Sequence, residues 1–316
     1  MKATQLIGVQ VASFLLALLA ASFLIYGALD LSPGDPLTVL SAGRELSPQA
    51  EQELRDQYNL DDPFLSRYAA WLTDFTQGDM GTSITQNADV SDLIGPRLET
   101  TFLLLAMASV LMVSAGIGLG LLAGLRGGRA DGSVRAASSL GIATPSFVAA
   151  IVLIAVFSVG LGWFPVIGSG EGLADKIYHL ILPAIALAFA QWASIARVTR
   201  VAVRTEAGSE HVETARSRGL PESGIVRRHI LRNAMIPIST IAGLTIAGTI
   251  AATVVVESAF SLNGLGSLLV DSVTAKDFAV VQAVSLIYVA FFLLINMAVD
   301  LGYALLDPRV RTGGSR

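Results

Sequence analysis

Residues 100–125 read TTFLLLAMASVLMVSAGIGLGLLAGL, 26 in a row without an Asp, Glu, Lys or Arg. A helix of about 20 apolar residues crosses the roughly 30 Å hydrocarbon core of a bilayer, so this run has the length and composition of a membrane span. Five similar runs flank it, at residues 3–29, 136–170, 177–196, 233–256 and 278–299. Together the six hold 154 of 316 residues, in a chain that is 53% hydrophobic and 15% charged, with mean hydropathy +0.64. A soluble domain carries about 25% charged residues. The reading is an all-α integral membrane protein with six transmembrane helices. The first run, 27 residues after Lys2, exceeds the roughly 7–15 residues of a signal h-region and is expected to be a retained helix.

Charge sorts the connecting segments onto two sides. With the N-terminus inside, 15 of the 21 basic residues fall inside and 18 of the 25 acidic ones outside. Basic loops stay cytoplasmic, so both termini are expected there. The chain then divides into helix 1 (1–29), an extracytoplasmic cap segment (30–98), a five-helix core (99–306) with an inside loop at 197–232, and a cytoplasmic tail (307–316). Arg126, Arg129 and Arg135 mark the inner connection between spans two and three. In the cap, Ser47-Pro48 predicts a helix to about Tyr58, because Pro suits the first helical position. Leu60-Asp61-Asp62-Pro63 breaks it, and Phe64 to Phe75 reads as a second helix. Its aromatics, Phe64, Tyr68, Trp71 and Phe75, fit either packing at the membrane surface or contact with a partner.

Several chemistries are excluded by residue type. There is no cysteine, which removes disulfides, thiolate metal sites and cysteine nucleophiles. His179, His211 and His229 are the only histidines and none lies in an HExxH pattern; no GxxxxGK[ST] phosphate loop occurs. No metal site, resident cofactor or nucleic-acid site is expected.

Gly116, Gly120 and Gly124 recur every four residues, a small-residue face that lets helix backbones approach closely. It serves either packing within the chain or a subunit interface. Pro145, Pro183 and Pro237 lie within or near spans three, four and five, where each removes a backbone donor and favours a kink. Glu257 abuts the outer end of span five, and an acid at membrane depth is by default a functional candidate, with an interfacial helix-end charge as the alternative. Gln191 and Gln282 are further candidates for a translocation path or outer gate. Asp300, one turn past Asn296, reads as structural, with Arg309 as a partner.

The inside loop is the most informative segment. Glu210 to Arg218 predicts a short helix with Ser209 as N-cap and Gly219 at the terminating C′ position. Pro221 opens a second helix, whose Ile225, Val226, Ile230 and Leu231 oppose Arg227, Arg228 and Arg232. Such an amphipathic element fits either an anionic lipid surface or a partner's groove.

Glu213-Thr214-Ala215, three residues, then Gly219 resembles the Glu-Ala-Ala-x-x-x-Gly signature of permease subunits of binding-protein-dependent ABC importers, with Thr214 in place of Ala. Pro237, 18 residues beyond Gly219, matches a later proline of that signature. Arg228-His229-x-Leu231-Arg232-Asn233-Ala234-x-x-Pro237 is similar to the dipeptide, oligopeptide and nickel branch. So are Pro33-Gly34-Asp35-Pro36, Leu60-Asp61-Asp62-Pro63, Gly78-Asp79-Met80-Gly81-Thr82-Ser83, Pro145-Ser146-Phe147, Glu257-x-x-Phe260 with Gly264 and Gly266, and Leu306-Asp307-Pro308-Arg309. The long cap segment resembles the first of that system's two permease subunits.

The resemblance implies a transport subunit in the cell membrane of a prokaryote, not an enzyme and without an ATP site of its own. Its partners would be a second homologous permease, two ATP-binding subunits and an extracytoplasmic binding protein that delivers a peptide. ATP and Mg would bind the partner subunits. In that family the loop supplies a coupling helix for the ATPase, which assigns Glu213, Ala215, Gly219, Leu220, His229, Arg232 and Asn233 to coupling. Two other classes compete. A self-sufficient channel or secondary transporter would favour ion-pair relays or arginine repeats inside spans, and the six runs carry neither. An intramembrane hydrolase needs a nucleophile and base at membrane depth, where His179 is the only histidine and sits at an edge.

Overall fold

The computed structural model describes residues 3–31, 47–49, 52 and 61–306. The helix expected from Ser47 to Tyr58 falls largely outside that set, as do Pro33-Gly34-Asp35-Pro36, the Asp300 side chain and the tail from residue 307. Helix α1 (Ala3–Asp30) is followed by α2 (Phe64–Thr76), which begins after Pro63 as the sequence predicts. A two-residue hairpin, β1 (Thr82–Ser83) and β2 (Ala88–Asp89), pairs Thr82 with Asp89 and Ser83 with Ala88. Then come α3 (Val90–Arg126), α4 (Gly128–Ala143), α5 (Ser146–Leu153, continued by π-helical Ile154–Gly160) and α6 (Gly172–Ala207). At the end of α6 lie α7 (Glu210–Ser217) and α8 (Glu222–Ile225). A π-helical stretch, Val226–Ile230, leads into α9 (Leu231–Ala259), then α10 (Leu265–Ala275) and α11 (Phe278–Leu306).

Helices α3 and α6 form the axis of the bundle. Cβ atoms added at Gly116, Gly120 and Gly124 would fall 2.6, 2.5 and 2.9 Å from side chains of Ile195, Thr199 and Val203. Only hydrogen fits in that seam, so the glycine face is consumed by packing within the chain. Both series advance by four residues in the same sense, which makes α3 and α6 parallel. The chain between them therefore returns from one end of the bundle to the other.

That return corrects the expected third span. The run at 136–170 is not one helix: among the described residues five helices are long and apolar enough to cross a membrane, and α4 with α5 makes a sixth only as a pair bent by 99°. The break is Thr144-Pro145. A residue before proline is pushed out of the helical region, and Thr144 is extended, with φ −98° and ψ 112°. The inner connection is also tighter than expected, since Arg129 and Arg135 lie within α4 and only Gly127 turns the chain.

Contacts sort the remaining elements by end. At one end, α2 stacks on α1 through Phe23, Tyr26, Phe64, Tyr68 and Trp71, and Ser22 hydrogen-bonds the Tyr68 hydroxyl at 2.8 Å. At that same end Lys176 meets Glu99 at 2.5 Å. There too Asp277, just before α11, accepts hydrogen bonds from the hydroxyls of Ser83 (2.5 Å) and Thr85 (2.7 Å). The opposite end holds α7, α8 and the pairing of Asp131 on α4 with Arg200 on α6.

Candidate functional site

The loop expected at 197–232 is largely helical. Helix α6 runs through Arg197, Arg200 and Arg204 to Ala207, and α8 continues through its π stretch into α9, so the second helix is the root of a span rather than a separate element. Ser209 occupies the N-cap of α7, but its hydroxyl donates to the Glu206 carbonyl at 2.6 Å rather than to the new helix. Helix α7 ends as predicted at Gly219, whose φ is +72°. The Gly219 amide donates to Arg216 O (2.9 Å) and the Leu220 amide to Ala215 O (3.3 Å), the two bonds of a Schellman cap. No atom lies within 4 Å of a Cβ built on Gly219, so the glycine is required there by backbone conformation and not by crowding within this chain.

This projection is tied to three spans. Ala215 and Val212 on α7, Ile225 on α8, and Ile230, Ala234 and Ile238 beyond it bury against Val203 of α6 and Ile117 and Leu121 of α3. A polar cluster closes the rim. Asn233 Nδ2 donates to Glu206 Oε2 at 3.2 Å and lies 3.3 Å from His211 Nε2. Arg216 donates to Glu222 Oε1 at 2.8 Å and to Ala207 O at 3.2 Å; its hydrogen bond with Glu222 raises the pKa of the guanidinium. Among the expected residues, Ala215 is buried and Asn233 joins the cluster, while Glu213, Gly219, Leu220 and Arg232 face outward. His229 is half-buried, its ring 6.2 Å from that of His211. Glu206, His211 and the Arg216–Glu222 pair are the members that pattern reading missed.

Glu257 sits at the other end and is fully enclosed, at 0% exposure. Its Oε1 accepts from the Thr101 hydroxyl at 2.7 Å; Oε2 accepts from the Gly266 amide at 2.7 Å and the Ser267 amide at 3.3 Å. Thr101 Oγ1 in turn accepts the Leu265 amide at 2.9 Å. The first amides of a helix have no partner of their own and carry its positive dipole end, so Glu257 caps α10 across a turn. A Cβ at Gly264 or Gly266 would collide with that carboxylate, which accounts for both glycines. Gln191 on α6 and Gln282 on α11 are half-buried and lie on different helices from Glu257.

A bundle of apolar spans with a folded helix–glycine–helix projection at one end defines an integral membrane protein whose projection is packed into its spans. Comparison with known proteins agrees. Residues 116–312 match the family described as binding-protein-dependent transport system inner membrane component. An oligopeptide transport system permease protein, AppB, of Bacillus subtilis is 37% identical over 93% of this chain and 95% of its own length. A glutathione transport system permease protein, GsiC, of Escherichia coli is 36% identical over 93% and 94%. A chain of the MetNI methionine ABC transporter in an inward-facing conformation superposes with a TM-score of 0.57 at 19% identity, covering 68% of this chain and 96% of that one. The chain belongs to the family of binding-protein-dependent transport system inner membrane components: it is a permease subunit of an ABC importer and a multi-pass protein of the cell membrane.

Proposed function

We propose that this chain is one of two unlike permeases of a peptide importer, and that residues 206–233 are where partner ATPases drive it. Two ATP-binding subunits would hold ATP and Mg, with no cofactor on this chain. A second homologous permease would complete the pathway, and an extracytoplasmic binding protein would supply the cargo. Peptide cargo is supported by the relatives named for oligopeptides and for glutathione, itself a short peptide.

The observation that carries this reading is the burial of Ala215, Ile225 and Ile230 against both α6 and α3. A push on α7 is not absorbed by a loose loop. It is passed to three spans packed as one body, the kind of rigid-body shift by which domains switch. Nucleotide can bias that switch only through differential affinity for its two states. At the outer end Glu257 serves the gate indirectly, by fixing α10, while Gln191 and Gln282 are the polar groups proposed to face cargo.

The test is purification of the tagged chain in mild detergent with identification of every stoichiometric companion. The expected companions are a second permease and ATPases bearing phosphate loops. Recovery of the chain alone or as a homo-oligomer, with no ATPase after crosslinking, overturns the proposal in favour of a self-sufficient channel. In proteoliposomes holding the full assembly and binding protein, ATP is expected to drive uptake of a labelled peptide.

A further inference from the structure

A groove of about 620 Å³ runs between α4 and α6 at the end that carries α7. Arg135, Ser138 and Ser139 line it from α4, and Arg197 and Arg200 from α6. Its charge is one-sided. Among the described residues no carboxylate lines it; Asp131 of α4 stands beside it and is shared. Arg200 binds it through two nitrogens, Arg204 approaches at 3.5 Å and Arg135 at 3.6 Å. Four guanidinium groups thus stand against one carboxylate, and Arg197 makes no ion pair or hydrogen bond among the described residues. The Asp131–Arg200 pair ties α4 to α6 beside the groove, so the two helices that present the remaining cations are held together there.

Beyond the groove the same stripe of α4 turns apolar. One helical turn beyond Arg135 and Ser139 on the same stripe of α4 comes Ile142, which is apolar and 47% exposed. Gly141, its neighbour in the chain, packs beside Phe189 and Ala193 of α6, well along that helix toward its middle. The cationic part therefore lies toward the end of the bundle and the apolar part toward its centre. That gradient matches a molecule with an anionic head and a hydrocarbon tail. Basic pockets between spans on the cytoplasmic side recognise anionic lipid headgroups, guanidinium forks suit phosphate oxygens, and the volume lies within the roughly 300–1,000 Å³ of small-molecule sites.

We propose that this groove binds the phosphodiester headgroup of an anionic phospholipid, with Arg135 and Arg197 as its cationic ligands, Ser139 beside them, and the acyl chain leaving the groove past Ile142. Placement of this end at the cytoplasmic leaflet rests on the topology proposed above. The bound lipid would sit beside Arg200 and Arg204, at the root of α7, and would brace α4 against α6 where the coupling segment joins the spans.

The experiment compares lipid retained by the intact complex purified from the membrane, read by native mass spectrometry after equilibration with equal phosphatidylglycerol and phosphatidylethanolamine. The variant is Arg135→Gln with Arg197→Gln, two exposed positions, leaving Asp131–Arg200 untouched. Wild type is expected to retain phosphatidylglycerol preferentially, and the preference is expected to fall about fivefold for each arginine removed. Equal retention by wild type and variant overturns the proposal, as does a wild type without preference. Complete displacement of the lipid by millimolar inorganic phosphate assigns the groove to a free anion and overturns the lipid assignment. A photocrosslinker replacing Ser139 is expected to capture lipid; capture of the second permease makes the groove a subunit interface and overturns the proposal. The lipid readout needs no ATPase, so loss of the preference in a normally assembled complex is distinct from failure of the complex to form.

Discussion

Glu257 shows how one residue can look like chemistry and serve as architecture. An acid at the end of a span reads equally well as a pathway group or a helix-end charge. Its environment distinguishes them, because three donors converge on it and no face is left open. Truncation to Glu257→Ala leaves the Thr101 hydroxyl and two α10 amides unpaired, at about 1–3 kcal/mol for each buried orphan. The thermal midpoint of the detergent-purified complex is expected to drop well below that of Ser258→Ala, an exposed neighbour; matching midpoints would contradict the capping role. Gly264→Ala is expected to behave like Glu257→Ala, since its Cβ would occupy the same carboxylate. The sequence showed an acid followed by two glycines, but the other half of the site, Thr101, is 156 residues away and nothing local marks it. Asp131 was hidden for the same reason: it reads as a solvated acid in a basic connection until the fold sets it against Arg200. Leaving one member of such a pair uncompensated is destabilising. Asp131→Arg and Arg200→Asp are each expected to lower yield of folded chain, and the double exchange to restore part of it, as measured by size-exclusion of the solubilised protein.

Among the elements, those whose cause is local were readable. Helix α2 begins where Pro63 and its aromatic face say it should, and α7 ends where Gly219 allows a left-handed residue. The run at 136–170 misled because apolar length cannot distinguish a straight span from two helices meeting at Thr144-Pro145. The glycines of α3 separate by function in the same way. Gly120→Ile would drive a branched side chain into Thr199 and the Ala196 carbonyl, an overpacking that costs about 1–3 kcal/mol or more. In limited proteolysis of the protein in membranes Gly120→Ile is expected to be cleaved faster than wild type, while Gly118→Ala, with nothing within 4 Å of its Cβ, is expected to be silent. Gly219→Ala tests a different property. A left-handed alanine costs about 1–2 kcal/mol at an exposed cap, too little to unfold the bundle but enough to redirect Leu220 and α8. Assembly is expected to persist while peptide-stimulated ATP turnover and uptake fall severalfold together. Normal uptake by a fully assembled Gly219→Ala importer would remove that turn from the coupling route.

At the scale of the molecule the charges predict a direction for each helix, and packing constrains the relative directions independently. Parallel α3 and α6 force the bent pair to count as one return across the bundle, whatever its shape. The contact of Thr101 with Glu257 sets the end of α9 beside the start of α3, and Asp277 sets the start of α11 at that same end. With the bent pair counted once, the described helices make six alternating passes along the bundle, with α2, the hairpin and α10 at one end and α7 and α8 at the other. Which end faces the cytoplasm rests on the arginines, and the chain offers an unusually clean way to ask, because it has no cysteine of its own. Single cysteines at Ser217, Ile167 and Thr274, all exposed, report the end of α7, the connection between α5 and α6, and α10. With a maleimide that does not cross membranes, Thr274→Cys and Ile167→Cys are expected to label in intact cells, and Ser217→Cys only in inverted vesicles. Labelling of Ser217→Cys from outside would invert the topology and detach the projection from any cytoplasmic ATPase. Labelling of Ile167→Cys only in inverted vesicles would put the connection from α5 to α6 on the same side as α7. The parallel packing of α3 and α6 could then not hold in the membrane.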